Sequence, residues 1–181
     1  MLVDGFRQSW IFVIGYLYPL GYHDFYIDQC RCTCDVYRTN SSSMSEDAAR
    51  YLRASLAAPP FHHWLRPELR DLDPESGRVT IALPLRAEFR RDPKRLEIHG
   101  GVIAALIDIA GHAAISARLH HGVPTVDLRI DYLRMAGGSE LLATAEPVKL
   151  GRNLGTVDIR VTDDQGKLVA IGRGVFSTRE G

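Results

Sequence analysis

The sequence predicts an α+β domain in which an antiparallel sheet wraps one long, buried helix. Residues 99–119 carry apolar side chains on nearly every side of a helix, which is typical of a buried helix and not of a surface one. The segments that follow alternate apolar and polar residues as strands do, and no helix separates them. Consecutive strands of this kind pair antiparallel. Because a long apolar helix cannot bury itself, we expect the sheet to cover it.

The elements can be placed in order from turn residues and from the hydrophobic period. Pro59 and Pro60 end a first helix, and Gly122 is the candidate left-handed cap of the central helix. Residues 163–166 form a hairpin turn. The predicted elements are a helix over Asp47–Ala57, a short aromatic element over Phe61–Leu65, a hairpin of Glu68–Asp73 and Arg78–Leu85, a polar loop over Arg86–Ile98, the central helix, and strands from Thr125, Leu141–Leu150, around Val157–Thr162 and over Lys167–Thr178.

Residues 1–43 differ from the remainder of the chain. They contain all three cysteines (Cys30, Cys32 and Cys34) and five of the seven tyrosines. We interpret them as an extension outside the fold, without fixed structure, and residues 44–181 as the folded domain. Met44 is a natural starting residue, and we expect a chain that begins there to fold.

Composition excludes several classes of function. The 22 basic and 22 acidic residues balance, so bulk charge indicates no nucleic-acid partner. The C-x-C-x-C segment does not have the spacing of common zinc sites, so no metal is expected. No signal peptide or membrane anchor is predicted. The predicted domain lacks cysteine, which fits a cytoplasmic protein.

Asp108 is the first candidate for a functional residue. It interrupts the apolar run of the central helix, and burying a carboxylate there costs several kcal/mol unless it has a partner or borders a cavity. Gly100 and Gly101 stand at the start of the same helix, where free N–H groups can hold a developing oxyanion. The alternative is a structural acid that is bonded to backbone or exposed on a polar stripe. His112, one turn after Asp108, is interpreted as structural.

These residues resemble a known family. His-Gly-Gly before an apolar helix, with an acid eight residues after the first glycine, is similar to the hotdog-fold acyl-CoA thioesterases, in the branch of the phenylacetate-pathway and 4-hydroxybenzoyl-CoA enzymes. Residues 125–136 (TVDLRIDYLRMA) and 151–176 match the last strands of that family in order. The resemblance covers roughly residues 60–178 and implies hydrolysis of a small-to-medium acyl-CoA, with no cofactor because coenzyme A is part of the substrate.

The resemblance also implies roles for single residues. Asp108 would be the general base or nucleophile, the Gly100 amide would polarise the thioester carbonyl, and Thr125 would lie beside the acid. The family draws the acid and the amide from different subunits, so a homodimer or a dimer of dimers is expected. Relatives usually carry Asn or Gln about seven residues before the first glycine, where this chain has Pro93. Either His99 takes over part of the orienting work, or the loop is shifted.

The phosphates of coenzyme A need arginine, lysine or backbone N–H groups. Arg134 and Arg152 are the candidates at the ends of the predicted strands. Two other functions stay open: a hotdog hydratase or dehydratase that would use Asp108 with His112, and a non-catalytic acyl-CoA-binding protein. The Asp-x-x-x-His spacing differs from the Asp-x-x-x-x-His of R-specific hydratases, and residues 1–43 show no helix pair that would bind DNA.

Overall fold

A computed structural model describes residues 46–180 of the chain. The interpretations of residues 1–43 and of Met44 lie outside these described residues. The described elements are α1 (residues 46–57), α2 (Pro60–Leu65), β1 (Glu68–Asp73), β2 (Arg78–Pro84), a short 3-10 helix (Ala87–Phe89), α3 (Gly100–Leu119), β3 (Thr125–Tyr132), β4 (Glu140–Leu150), β5 (Leu154–Asp163) and β6 (Leu168–Ser177).

The six strands form one antiparallel sheet in the order β1-β2-β4-β5-β6-β3. The central helix α3 packs against β2, β3, β4, β5 and β6. The α+β prediction of a sheet around one long helix is therefore confirmed. The order leaves β1 and β3 as the two edges of this sheet.

The core lies between α3 and the inward face of the sheet. Along α3, apolar residues from Val102 to Ala117 are buried, which explains why a helix that is long and apolar enough for a membrane span sits inside a domain. On the strands, the period of two sends alternate side chains inward. The fully buried strand residues include Val79, Ile81, Leu83, Leu141, Ala143, Ala145, Val157 and Val161.

Two glycines let α3 approach the sheet closely. A Cβ at Gly111 would lie 2.7 Å from Cζ of the buried Phe176 on β6, and a Cβ at Gly172 would lie 2.6 Å from Cγ2 of Ile107. Both distances are shorter than van der Waals contact, so a larger side chain at either position would force the helix and sheet apart. The short distance between α3 and β6 thus depends on a glycine in each of the two elements.

The ends of α3 differ in part from the prediction. Gly122 was expected as the left-handed cap, but His120 takes that conformation, with φ of 56°. The expectation was wrong because the His120 N–H already closes the last turn on the Ser116 carbonyl at 2.8 Å, two residues before the glycine. Histidine is among the residues that enter this region most readily after glycine.

The loop that precedes α3 also contributes to the core. Phe89, at the end of the short 3-10 helix, is fully buried, and its carbonyl accepts the His99 N–H at 2.8 Å. A bridge between Arg90 and Ile98 closes the loop. The segment predicted as a polar loop therefore holds the start of α3 in place.

Candidate active site

Asp108 and Thr125 lie together in the structure. The Thr125 hydroxyl donates a hydrogen bond of 2.8 Å to Oδ1 of Asp108. Asp108 is half-buried on α3, and Thr125 is the exposed first residue of the edge strand β3. A single hydroxyl donor fixes the direction of the carboxylate and leaves Oδ2 without a side-chain donor among the described residues. Such a carboxylate can accept a proton from a water molecule or attack a carbonyl carbon.

In residues 46–180, the Gly100 N–H at the start of α3 has no hydrogen-bond acceptor. His99 is the N-cap, and its Nδ1 accepts the Gly101 N–H at 2.9 Å, while its carbonyl accepts the Val102 N–H at 3.0 Å. The His99 side chain therefore orders the backbone at the helix start.

Tyr132 holds the same turn from outside. Its hydroxyl donates a hydrogen bond of 3.1 Å to the Gly100 carbonyl, and its ring edge lies 3.4 Å from where a Gly100 Cβ would be. The sequence placed Tyr132 only as the last apolar residue of an alternating strand. Nothing in the pattern connects it with a glycine 32 positions earlier, because that contact depends on how β3 crosses the helix start.

Within one chain, the carboxylate and the free N–H are too far apart to act on one carbonyl group. Eight residues separate Gly100 from Asp108, and a helix rises 1.5 Å per residue, so about 12 Å of helix axis lies between them. A donor and a base that share one reacting carbonyl must each lie at about 3 Å from it. The two groups of a single α3 therefore do not form one site.

His112 is engaged in the structure of the domain. The Val123 N–H donates to its Nε2 at 3.4 Å, and Nδ1 lies 3.5 Å from the Ser116 hydroxyl. Burial lowers the pKa of His112, and the nearby His62 lowers it further, against the opposing effect of Asp108. A neutral ring that accepts a backbone N–H agrees with the structural interpretation.

The predicted phosphate-binding residues stand apart from one another. Arg134 follows β3, and Arg152 lies in the turn between β4 and β5. Both are exposed, and neither makes an ion pair with another residue of the described part. Arg129, by contrast, lies 3.2 Å from Asp131. In residues 46–180, no group of three metal-ligating side chains is present.

Similar solved structures define the class of fold. One is the Escherichia coli PaaI protein from the phenylacetic acid degradation operon, which is 24% identical to this chain. The match has a TM-score of 0.68 and covers 76% of this chain and 97% of that protein. Another is a Haemophilus influenzae thioesterase, which is 25% identical to this chain. The match has a TM-score of 0.61 and covers 68% of this chain and 85% of that protein. The first likeness supports the fold alone. Together with the single helix and the six-stranded sheet, these neighbours define a hotdog-fold protein of the thioesterase type.

Sequence comparison then gives the family. The family described as the Thioesterase superfamily matches residues 98–170, which run from the start of α3 into β6. A Halobacterium salinarum protein, named "Putative esterase", is 34% identical over 115 residues, which are 58% of this chain and 76% of that protein. The chain belongs to the thioesterase superfamily, and the coarse activity that follows is hydrolysis of a thioester.

Proposed function

We propose that the protein is an acyl-CoA thioesterase that hydrolyses small-to-medium acyl-CoA to the free acid and coenzyme A. The observation that carries this proposal is the Asp108 carboxylate held by Thr125, on a helix whose first N–H group has no acceptor in residues 46–180. Membership of the thioesterase superfamily supports the class of bond, and the acyl-CoA substrate is the step beyond it.

The chemistry follows from the charges that develop during the reaction. Asp108 takes a proton from water as the water oxygen attacks the thioester carbon, and the Gly100 N–H donates to the oxyanion that forms. Collapse of this intermediate breaks the carbon–sulfur bond, and the leaving thiolate gains the proton to give free coenzyme A. In the alternative path, Asp108 attacks the carbon directly, and water then hydrolyses the mixed anhydride.

A second copy of the chain would bring the two groups together. The strand β3 is an edge of the sheet, and its side chains Val126 and Tyr132 are 59% and 52% exposed. Exposed edges with apolar side chains are normally paired or covered, and two-fold symmetry is the commonest solution. Antiparallel pairing of two β3 strands sets Thr125 of one copy opposite Tyr132 of the other. Since Tyr132 contacts Gly100, the free N–H of one copy would approach Asp108 of the other.

The same pairing suggests where coenzyme A would bind. Arg152 lies at the sheet end where Leu154 pairs with Ser177 and Phe176 pairs with Thr125. Arg134 follows Tyr132, so its counterpart in a second copy would approach that sheet end. Two arginines from different subunits would then surround one site, which fits the charge of the coenzyme A phosphates.

The test is release of free thiol from a panel of acyl-CoA substrates, followed with a thiol-reactive dye. We expect thiol release from short and medium acyl-CoA and no change in double-bond absorbance. A change in that absorbance without thiol would favour a hydratase, although the bond from Val123 to His112 Nε2 argues against that chemistry. Binding of acyl-CoA without turnover would support a non-catalytic acyl-CoA-binding protein and would contradict the proposed thioesterase activity.

A further inference from the structure

A pocket of about 320 Å³ opens where α2 faces the first two turns of α3. Phe61 and Trp64 of α2 form an aromatic wall, and Val102 and Ala105 of α3 also line the pocket. The lining also includes polar and charged side chains, namely His99, Glu88 and Arg90. The volume is at the lower end of the roughly 300–1,000 Å³ of small-molecule sites. A pocket of this size fits a compact group and not a long chain.

The pocket lies on the same face of α3 as the candidate acid. Gly101, Ala105 and Asp108 follow one another at intervals of four and three residues, which places them on one side of a helix. Ala105 is three residues before Asp108, so about 4.5 Å of helix axis separates these two residues. His112 follows Asp108 by one turn on the same face, and burial together with the charge of His62 of α2 lowers the pKa of His112. The pocket lining therefore places α2 beside the turns of α3 that precede Asp108.

The aromatic wall is held in place although much of it is exposed. Phe61 and Trp64 are 52% and 47% exposed, and their ring centroids are 6.1 Å apart. The Trp64 ring meets the buried Phe89 edge-on at 5.2 Å, and the Arg86 guanidinium lies 4.5 Å from the Phe89 ring centroid and donates to the Trp64 carbonyl. These contacts order an apolar surface that water still reaches.

The start and end of α2 are fixed as well. Pro60 stands in the first turn of the helix, where its ring favours helical geometry. His62 Nδ1 and His63 Nε2 donate to the carbonyls of Leu56 and Ala57 at 3.1 and 2.6 Å, which ties α2 to the end of α1. A six-residue helix with this many attachments is suited to carry a binding surface.

We infer that α2 forms the wall of the acyl-binding pocket, and that Phe61 and Trp64 are specificity-determining residues that limit the length of the acyl group. This inference rests on the proposed thioesterase function. An apolar acyl group that extends from a thioester at Asp108 towards Ala105 would cover both rings and remove their surface from water. Acyl groups longer than the pocket would meet the Trp64 ring.

The experiment compares kcat/KM for octanoyl-CoA with that for butyryl-CoA. In Trp64→Ala, we expect the octanoyl-to-butyryl ratio to rise by about 10-fold, as for pockets that discriminate by a few methylene groups. Phe61→Trp narrows the pocket, and we expect the ratio to fall. Val148→Ala is the matched control, because Val148 is an apolar side chain of similar exposure (57%) on β4, outside the pocket, and its ratio should equal that of wild type.

Two outcomes are separable. If wild type releases thiol but the ratio is unchanged in both Trp64→Ala and Phe61→Trp, the pocket assignment is overturned while the thioesterase function stands. If wild type releases no thiol from any acyl-CoA, the proposed function itself fails.

A binding readout guards against loss of folding in Trp64→Ala. In a Trp10→Phe, Asp108→Asn background, Trp64 is the only tryptophan of the chain, and its fluorescence should change with octanoyl-CoA but not with free coenzyme A. An identical response to both ligands contradicts the inference.

Discussion

The hydroxyl of Thr125 donates a hydrogen bond of 2.8 Å to Oδ1 of Asp108, and this bond joins the edge strand of the sheet to the middle of the buried helix. A half-buried carboxylate needs a donor to offset its loss of hydration. Among residues 46–180, Thr125 is the one side chain that donates to this carboxylate, so Oδ2 is left for chemistry.

Asp108→Asn keeps the shape of the side chain and removes its negative charge. Loss of a general base or nucleophile should lower kcat for acyl-CoA hydrolysis by roughly 100-fold or more. Thr125→Val should lower it by about 10- to 100-fold, because a hydrogen bond to a charged group contributes about 1.5–3 kcal/mol. Thr125→Ser keeps the hydroxyl and is the control. Near-normal turnover of folded Asp108→Asn would remove Asp108 from the mechanism.

Gly100→Pro removes the free N–H at the helix start. Gly100 is the first residue of α3, where proline is tolerated, and His99 has an extended ψ of 134°, which is compatible with a following proline. We expect a folded protein without thiol release. Mixing it with Asp108→Asn should restore activity, because a heterodimer has one site with both lesions and one with neither, approaching about half of wild type per heterodimer. Proven subunit exchange without recovered activity would exclude a shared site.

Val126→Asp tests whether β3 is the contact between subunits. A carboxylate in an apolar edge-to-edge contact is unpaired and desolvated, so we expect the protein to become monomeric and inactive. Val148→Asp is the matched control. Val148 is 57% exposed, close to the 59% of Val126, but it lies on β4, a strand in the interior of the sheet. Light scattering measures the mass of each. A Val126→Asp dimer would place the interface elsewhere.

His112 predicts a dependence of stability on pH. Burial holds the pKa of folded His112 below 6.5, so the unfolded chain binds a proton first as the pH falls. The neutral ring therefore supports the fold above about pH 6.5, and this contribution is lost progressively as the pH falls towards the lowered pKa of the folded state. Urea unfolding at pH 7.5 and 5.5 should show a larger loss of unfolding free energy in wild type than in His112→Gln. Equal losses would show that His112 does not cause the effect.

Gly111→Ala tests the close approach of α3 to β6. The added methyl group would lie 2.7 Å from the buried Phe176 ring. Overpacking costs about 1–3 kcal/mol, while alanine in a helix recovers about 1 kcal/mol. We expect a net loss of unfolding free energy of up to about 2 kcal/mol by urea titration. Gly122→Ala is the control, because nothing lies within 4 Å of its added Cβ. Phe176→Leu combined with Gly111→Ala should regain part of the loss.

The local pattern of apolar and polar residues was sufficient to predict much of the fold of this protein. A run of apolar residues without a polar face indicates a buried helix, and alternation indicates strands, because both periods follow from backbone geometry alone. The strands were therefore predicted to within a few residues, and Asp108 was identified because a single carboxylate in an apolar helix needs a physical explanation. The resemblance drew attention to Thr125, and the structure then placed its hydroxyl on Asp108.

Other features depend on residues that are distant in the sequence, and no local period encodes them. Tyr132 reaches Gly100 because β3 is an edge strand that crosses the start of α3, and Trp64 meets Phe89 because α2 lies against the loop before that helix. His120, and not Gly122, ends α3 because the hydrogen bond to Ser116 closes the last turn first. The sequence alone determined which segments are buried and where the acid stands. Only the tertiary structure decided which N–H is free and which side chains surround it, because strand order and helix placement set those distances.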